Sequence, residues 1–175
     1  MHINFEFKAK CSDIARLEAL LKGKNPLYIG TDHQTDIYFN VSCGRLKLRE
    51  GTIENSLIHY NRSNTADAKQ SDVTLYQHKP DRNLRDALTR ALGVKVIVDK
   101  KRKIYFIDNV KFHFDEVKDL GSFVEVEAID SDGTIGIEKL KEQCNGYIGL
   151  FGITKEQFIA ESYSDLLLAK KSSTA

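Results

Sequence analysis

The chain has little that would suit it to an oxidising or membrane environment. Its three cysteines, Cys11, Cys43 and Cys144, are odd in number and far apart, so they form neither a disulfide framework nor a metal-binding spacing. No segment approaches the roughly 20 apolar residues that a membrane-spanning helix needs. The N-terminal stretch alternates between apolar and polar residues, which is unlike a signal peptide. These absences predict a reduced, cytoplasmic protein that has no membrane partner.

An excess of charge of either sign is also missing. The 175 residues carry 26 basic and 25 acidic side chains, a formal net charge of +1. No overall field therefore attracts nucleic acid, and we expect none as a partner, so any anion site must be local. A Walker-type phosphate loop, a GxSxG nucleophile elbow and an HExxH metal motif are all absent, which excludes the enzyme classes that depend on them.

What the sequence does contain is a succession of short alternating segments. The length predicts a single domain over residues 1–169, with a disordered tail at 170–175. Alternation predicts about eight strands, and helical spacing predicts helices near 14–23, 81–93, 135–144, 155–160 and 163–169. Strands that follow one another so closely favour an antiparallel, meander-rich α+β domain.

Three consecutive strands between Val94 and Ala128 carry charge in alternating positions. Alternate residues of a strand share one face, so Lys100 lies beside Arg102, and Glu125 lies beside Glu127. The middle strand places Lys111, His113 and Asp115 on one face. The opposite phase is expected to be mostly apolar, with Ile104, Phe106, Phe112, Phe114, Phe123, Val124 and Val126. Some of these break strict alternation, so a twist or bulge is expected. Charged faces on so many strands predict a sheet that curls around a polar interior.

Basic and acidic side chains are both expected on this inner face. The basic set is Lys8, Arg45, Lys47, Arg49, Arg62, Lys100, Arg102 and Lys111, with Lys69 on a nearby loop. The acidic set is Glu6, Asp36, Asp115, Glu125 and Glu127. Guanidinium groups match the oxygens of phosphate, whereas carboxylates tolerate a phosphate only when hard cations such as Mg²⁺ or Mn²⁺ lie between them. Mixed charge therefore predicts a metal–nucleotide site.

A simpler alternative stays open at this point. The same alternation describes the solvated face of an open antiparallel sheet with cross-strand ion pairs. His113, a lone histidine among strands, is more typical of a structural hydrogen bond than of a ligand or base. Tyr38, Tyr60 and Tyr105 fit wall packing better than base stacking.

The order of the motifs resembles the CYTH superfamily of triphosphate tunnel metalloenzymes, in its class IV adenylyl cyclase-like branch. The resemblance covers nearly the whole chain. Its motifs are NFEFKAK from Asn4, DIYF from Asp36, GRLKLRE from Gly44, LIHYNR from Leu57, KQSD from Lys69, KKRKIY from Lys100, FDEV from Phe114, LGSFVEVE from Leu120 and SYSDLL from Ser162. Any one motif is weak, but their order and spacing together are specific.

The resemblance implies a closed antiparallel barrel of about eight strands whose tunnel binds a triphosphate with Mg²⁺ or Mn²⁺. By this resemblance the metal would be held by Glu6, Asp115, Glu125 and Glu127. The phosphates would be bound by Lys8, Arg45, Lys47, Arg49, Arg62, Lys69, Lys100, Arg102 and Lys111, and of these Lys8, Arg49, Lys100 and Arg102 would be catalytic. Asn4 stands where the family pattern has a first glutamate, and Asn61 where a lysine is common.

The function implied is adenylyl cyclisation, in which ATP is converted to 3′,5′-cyclic AMP and pyrophosphate. A triphosphatase that hydrolyses tripolyphosphate, thiamine triphosphate or a nucleoside triphosphate is the first alternative. A barrel that binds nucleotide or polyphosphate without turnover is the second, and Asn4 keeps it open. A homodimer is expected only if the strand face with Ile3, Phe5 and Phe7 is left uncovered.

Overall fold

The computed structural model describes residues 3–61 and 72–173. The strands are β1 (Ile3–Lys10), β2 (Leu27–Phe39), β3 (Arg45–Gly51), β4 (Ser56–Asn61), β5 (Asp72–Gln77), β6 (Val94–Ile107), β7 (Val110–Val117) and β8 (Gly121–Asp130). The helices are α1 (Ile14–Lys22), α2 (Arg82–Leu92), α3 (Ile137–Phe151) and α4 (Tyr163–Ser173), with a 3₁₀ turn at Lys155–Gln157. No helix in these ranges is both long enough and apolar enough to cross a membrane.

Local signals explain where the first two helices begin and end. The side chain of Asp13 accepts a hydrogen bond from the Arg16 amide at 3.0 Å, and α1 ends at Gly23. Asp81 caps α2 in the same way through the Asn83 amide at 2.8 Å. These N-caps satisfy amides that have no partner within the helix, so the predicted starts are confirmed.

The eight strands form one antiparallel sheet in the order β1-β8-β7-β6-β2-β3-β4-β5. Two meanders, β2 to β5 and β6 to β8, are joined where β2 pairs with β6, and β1 is added beside β8. The predicted α+β class and antiparallel pairing are confirmed. The sheet edges are β1 and β5, and no hydrogen-bonded pairing within the described ranges joins them, so closure into a barrel stays a prediction.

The sheet is strongly curled. Strands β7 and β3 are separated by β6 and β2, which in a flat sheet would hold them about 14 Å apart. Even so, Lys111 of β7 and Arg49 of β3 both contact the carboxylate of Glu54, at 2.5 Å and 3.2 Å. Side chains from distant strands therefore meet across a concave interior, and the alternative of an open solvated face is not what the structure shows.

Helices cover the convex face of the sheet. Leu17 and Leu21 of α1 and Leu140 of α3 pack on Phe7 and on the outward residues of β7 and β8. On the other meander, Leu84, Leu88 and Leu92 of α2 cover Ile37, Phe39 and Leu48. The strand face that would have favoured dimerisation if uncovered is thus packed under helices, and Phe7 is buried. With the apolar phase taken up outside, the charged phase must face inward.

Two helices extend beyond their predicted ends. Helix α3 continues through Gly146 and Gly149 to Phe151, whose ring is buried in the outer core. The prediction ended it at 144. Glycine disfavours helix, but burial of the last turn outweighs that cost. Helix α4 runs to Ser173, so it occupies most of the stretch 170–175 that was predicted to be a disordered tail.

Removing the Leu140 side chain tests the outer core. Leu140 is fully buried between α3 and the sheet, so Leu140→Ala should lower the free energy of unfolding by about 2–5 kcal/mol through lost contacts and a residual cavity. The measurement is urea unfolding followed by circular dichroism. Ile97→Ala, at a half-exposed position of β6, is the control and should cost under about 1 kcal/mol. Equal losses in the two variants would contradict the assigned packing.

Candidate functional site

The concave side of the sheet encloses a cavity of about 790 Å³, a size typical of small-molecule sites. All eight strands contribute inward side chains to it. Among the predicted site residues, those that line it are Glu6, Lys8, Lys47, Arg49, Lys100, Arg102, Lys111, Glu125 and Glu127. Arg45 instead pairs with Asp165 of α4 at 2.7 Å. Arg62 and Lys69 lie outside the described residues.

Asp36 of β2 organises one group of cations. It lies directly opposite Arg49 in the sheet, which donates two hydrogen bonds to it at 2.8 and 2.9 Å. Lys100 and Lys47 donate to the same carboxylate at 2.7 and 3.3 Å. Burial alone would raise the pKa of Asp36, but the three positive charges outweigh it and hold the pKa well below its ordinary value. Asp36 is therefore a permanent anion that positions three cations.

Lys100 is the cation of this group whose charged form is disfavoured by its surroundings. Its side chain is 1% exposed, and burial lowers its pKa to about 7 although Asp36 acts to raise it. The neighbouring charges of Arg49, Arg102 and Lys47 lower the pKa further. A further anion beside Lys100 would favour its charged form, which is the response expected of a phosphate-binding lysine.

Arg102 organises a second group across β6, β7 and β8. It donates two hydrogen bonds to Asp115, at 2.7 and 2.5 Å, and one to Glu125 at 2.8 Å. Tyr163 of α4 also donates to Asp115, at 2.7 Å. Both oxygens of Asp115 are thus engaged, and the residue is fully buried. The predicted role of Asp115 as a metal ligand does not fit this geometry, because Asp115 serves as the counter-ion that holds Arg102.

Carboxylates face one another on the β1–β8 side of the cavity. Glu6 lies directly opposite Glu127 in the sheet, a placement that is unfavourable for two like charges. Burial together with the charges of Glu6 and Glu125 raises the pKa of Glu127 to about 7. The side-chain Nδ2 of Asn4 donates a hydrogen bond to Glu127. The side-chain Oδ1 of Asn4 is buried without a hydrogen-bond partner. This side of the cavity is rich in oxygen atoms that could ligate a metal ion.

The carboxylates of this side could bind the predicted divalent cation only where they come close together. Within residues 3–61 and 72–173, no three side chains of His, Cys, Asp or Glu converge closely enough to hold a metal ion. The facing pair Glu6 and Glu127 nevertheless has the ligand chemistry that Mg²⁺ and Mn²⁺ prefer, and a cation between them would relieve their repulsion. Glu125 is the third candidate ligand, although Arg102, Lys8 and His113 already contact it.

His113 contacts Glu125 on the β1–β8 side of the cavity but has the features of a buried structural residue. Its Nδ1 atom lies 3.3 Å from Glu125, and its Nε2 atom is buried without a partner. Burial and the charge of Arg102 lower its pKa to about 4. The imidazole is thus neutral near pH 7, in agreement with its expected structural role.

The aromatic residues also have wall positions. Tyr38 and Tyr60 are buried in the cavity wall, with Lys47 Nζ 5.5 and 5.7 Å from their ring centroids. Phe106 shares the inner face with Arg102, and Phe123 packs against Tyr163 at 4.9 Å between centroids. The prediction that Phe106 and Phe123 belong to the outer phase is therefore wrong, because β6 and β8 pair with β7 without a register shift and alternation places both rings on the inner face.

Tyr163 and Glu54 are among the lining residues that the sequence did not assign to the cavity. Tyr163 closes one end of the cavity, where α4 packs on inward residues of the sheet and the Tyr163 ring lies 4.4 Å from Lys8 Nζ. Glu54 lies in the β3–β4 connection and reaches Lys111 and Arg49. Neither belongs to an alternating strand. Only the SYSDLL motif gave a signal for Tyr163, and nothing in the sequence distinguished Glu54.

The model of the CYTH domain family matches residues 2–159. The chain belongs to the CYTH family. This confirms the resemblance, and the match ends before α4. No curated protein sequence matches the chain significantly.

Solved CYTH-like structures share the fold at low sequence identity. The PH1012 protein from Pyrococcus horikoshii has a TM-score of 0.78 and 20% identity, over 95% of this chain and 99% of that one. A proposed adenylate cyclase from Vibrio parahaemolyticus has a TM-score of 0.73 and 17% identity, over 94% and 97%. HpAC1 from Hippeastrum, a proposed adenylyl cyclase described as having a dominant triphosphatase activity, has a TM-score of 0.61 and 14% identity, over 98% and 96%. At these identities the likeness shows the fold alone.

Replacing Glu127 by glutamine tests the carboxylate repulsion. The folded-state pKa of about 7 lies above the ordinary value of 4.5, so between these pH values the folded CYTH protein binds a proton that the unfolded chain does not. Its free energy of unfolding should therefore fall as pH rises through 7. Glu127→Gln mimics the protonated form, so its melting temperature relative to wild type should increase from pH 5 to pH 8.

The exposed residue Glu116 of β7 gives the matched control. Glu116→Gln should show no such change in relative melting temperature over the same range. A Glu127→Gln difference that is the same at pH 5 and pH 8 would contradict the raised pKa.

Proposed function

We propose that this CYTH protein is a metal-dependent enzyme that acts on the triphosphate of a nucleotide, with conversion of ATP to 3′,5′-cyclic AMP and pyrophosphate as its leading reaction. The observation that carries the proposal is the division of one cavity into a cationic side and an acidic side. Lys47, Arg49 and Lys100 gather around Asp36, while Glu6 faces Glu127.

A triphosphate and a divalent cation would complement both sides. The cationic side presents guanidinium and ammonium donors from β3, β6 and β7, an arrangement suited to a chain of phosphates. Lys8 and Arg102 lie between the two sides, since both contact Glu125. The cavity also has an apolar portion at Ile58 and Leu75, which would suit a nucleoside and has no use in binding polyphosphate alone.

In the proposed cyclisation, the ribose 3′-oxygen attacks the α-phosphorus of ATP. A new P–O bond forms, the bond from the α-phosphorus to the bridging oxygen of the β-phosphate breaks, and pyrophosphate leaves with that oxygen. The 3′-hydroxyl proton passes to solvent, because no described side chain stands out as a base. Arg49, Lys100 and Arg102 would stabilise the charge that grows on the leaving group, through fixed positions and electrostatics.

Glu6 and Glu127, with Glu125, are proposed to hold Mg²⁺ or Mn²⁺, which when bound would stabilise the phosphate oxygens as a Lewis acid. Lys8, beside Glu125 at 3.6 Å, would bind phosphate next to the metal. Asn4 contributes a neutral side-chain oxygen where a second carboxylate could stand. The ligands therefore carry one negative charge fewer, which favours fewer bound metal ions. The expected cytoplasmic location and the absence of a nucleic-acid partner stay predictions.

Triphosphate hydrolysis is the second candidate. It is favoured by the dominant triphosphatase activity described for HpAC1, which shares this fold. In that reaction, water attacks the terminal phosphorus and the bond to the neighbouring bridging oxygen breaks, which gives orthophosphate and a diphosphate. The same cations would bind the substrate, so the two reactions differ in which phosphorus lies beside the metal.

Phosphorus NMR of the purified protein with ATP, first with Mg²⁺ and then with Mn²⁺, distinguishes these outcomes. A cyclic-phosphate resonance together with pyrophosphate supports the cyclase. Orthophosphate with ADP supports the triphosphatase, and tripolyphosphate is then the next substrate. ATP binding without any product in either metal would contradict an enzymatic role and leave a nucleotide sensor.

A glutamine at position 6 tests the metal assignment. Glu6→Gln should reduce metal-dependent turnover by about 100-fold or more, because a carboxylate is lost opposite Glu127 without a change in size. Glu116→Gln removes one charge from an exposed position of β7 and should keep wild-type turnover. Undiminished turnover in Glu6→Gln would rule out Glu6 as a ligand.

A glutamate at position 4 gives a test that does not depend on activity. Asn4→Glu removes the hydrogen bond to Glu127 and adds a carboxylate to the pair, so the melting temperature in EDTA should fall. Mn²⁺ should then raise the melting temperature of the variant more than that of wild type, because it binds only where the carboxylates meet in the fold. An equal metal response in both proteins would contradict a cation site here.

A further inference from the structure

Glu54 lies at the end of the cationic side where Lys111 and Arg49 come together. Its carboxylate lies 2.5 Å from Lys111 Nζ and 3.2 Å from Arg49 Nη1, and it accepts a third hydrogen bond from Gln34 at 3.1 Å. It therefore bridges β7 and β3, which are not neighbours in the sheet. Two of the cations expected to bind phosphate are already paired with an anion that belongs to the chain.

Glu54 differs from the other acids that pair with these cations. Asp36 projects from a strand, has a side chain that is 2% exposed, and contacts three cations. Glu54 lies in the connection between two strands, and its side chain is 25% exposed. An ion pair in contact with solvent is weaker than a buried one, because water screens its charges. Glu54 is therefore the more easily displaced anion.

The backbone around Glu54 is firmly held. The buried carboxylate of Asp32 accepts hydrogen bonds from the Ile53 and Glu54 amides, each at 2.9 Å, and from the Thr52 hydroxyl at 3.0 Å. A Cβ at Gly51 would lie 2.7 Å from an Asp32 oxygen, so the absent side chain lets the connection close over Asp32. Release of the Glu54 carboxylate thus requires only rotation of its side chain, without movement of the connection.

We propose that Glu54 is a resident anion that competes with the substrate's phosphates for Arg49 and Lys111, and so sets the affinity at this end of the cavity. This inference rests on the proposed triphosphate function. A phosphate that reaches these cations must first replace the Glu54 carboxylate, and part of the binding free energy is used in that exchange. Anions with too little charge to displace Glu54 are thereby disfavoured at this end.

The test is calorimetric binding of tripolyphosphate without metal to wild type, Glu54→Gln and Glu50→Gln. Glu54→Gln keeps the side-chain size but removes the competing carboxylate from Lys111 and from Arg49, which keeps its pair with Asp36. Tripolyphosphate should therefore bind about fivefold more tightly, the gain expected from removing one partly exposed competing carboxylate. Glu50 lies on the same hairpin and pairs with Arg85 of α2 instead. Glu50→Gln loses the same charge outside the cavity and should bind like wild type.

Affinity of Glu54→Gln equal to or below that of wild type would overturn the inference, because Glu54 would then hold Arg49 and Lys111 in place for the ligand. Glu54→Asp is the second variant, and decides the question if the glutamine variant melts well below wild type. The aspartate carboxylate is withdrawn by one methylene, so the affinity of this variant for tripolyphosphate should lie between those of wild type and Glu54→Gln. An affinity of Glu54→Asp at or below that of wild type also overturns the inference. Failure of wild type itself to bind tripolyphosphate or ATP would instead refute the proposed function.

Discussion

Two cross-strand pairs of arginine and aspartate hold the interior of this protein together. Arg49 lies directly opposite Asp36, and Arg102 lies directly opposite Asp115. Each guanidinium donates two hydrogen bonds to its carboxylate, and all four side chains are at most 10% exposed. Charges taken out of water are tolerated only when they are paired and hydrogen-bonded. The inward charges of the curled sheet are therefore tolerated because arginine and aspartate side chains of neighbouring strands lie opposite one another.

The pairing is incomplete in a way that bears on function. Around Asp36 the cations outnumber the acid, and the pKa of Lys100 falls to about 7 through burial and its positive neighbours. Around Glu127 the acids dominate, and burial with the charges of Glu6 and Glu125 raises its pKa to about 7. One side of the cavity thus favours an added anion and the other an added cation. A triphosphate bound with a divalent metal has both charges, and this supports the proposed substrate class.

The outer layer makes this interior possible. Helices α1, α2 and α3 bury the apolar phase of the strands, so the alternation of side chains directs the charged phase into the cavity. Helix α4 packs differently, since Tyr163 and Leu167 contact inward residues at one end of the curl. Through the Tyr163 hydroxyl, this helix also contacts the Asp115 side of the Arg102 pair. Packing of the chain's last helix and the geometry of the site are therefore linked.

Much of this could be predicted from the sequence, because it depends on local patterns. Alternation determined the strands and placed Lys100 with Arg102 and Glu125 with Glu127 on shared faces, and the Asp81 cap determined the start of α2. The order of the motifs was enough to indicate the CYTH family.

Tertiary structure decided what each charge contacts. Asp115 was expected to bind metal, yet it is the counter-ion of Arg102, because register across β6 and β7 and not spacing along β7 sets its partner. Glu54 could not be recognised, since a residue in a connection has no periodicity, and only the curl of the sheet brings it to Lys111. Phe106 is different, because unbroken alternation along β6 places it on the face of Arg102, and its inward position therefore follows from the local pattern. Local pattern determined which residues share a face, and the curvature of the sheet decided which of them meet.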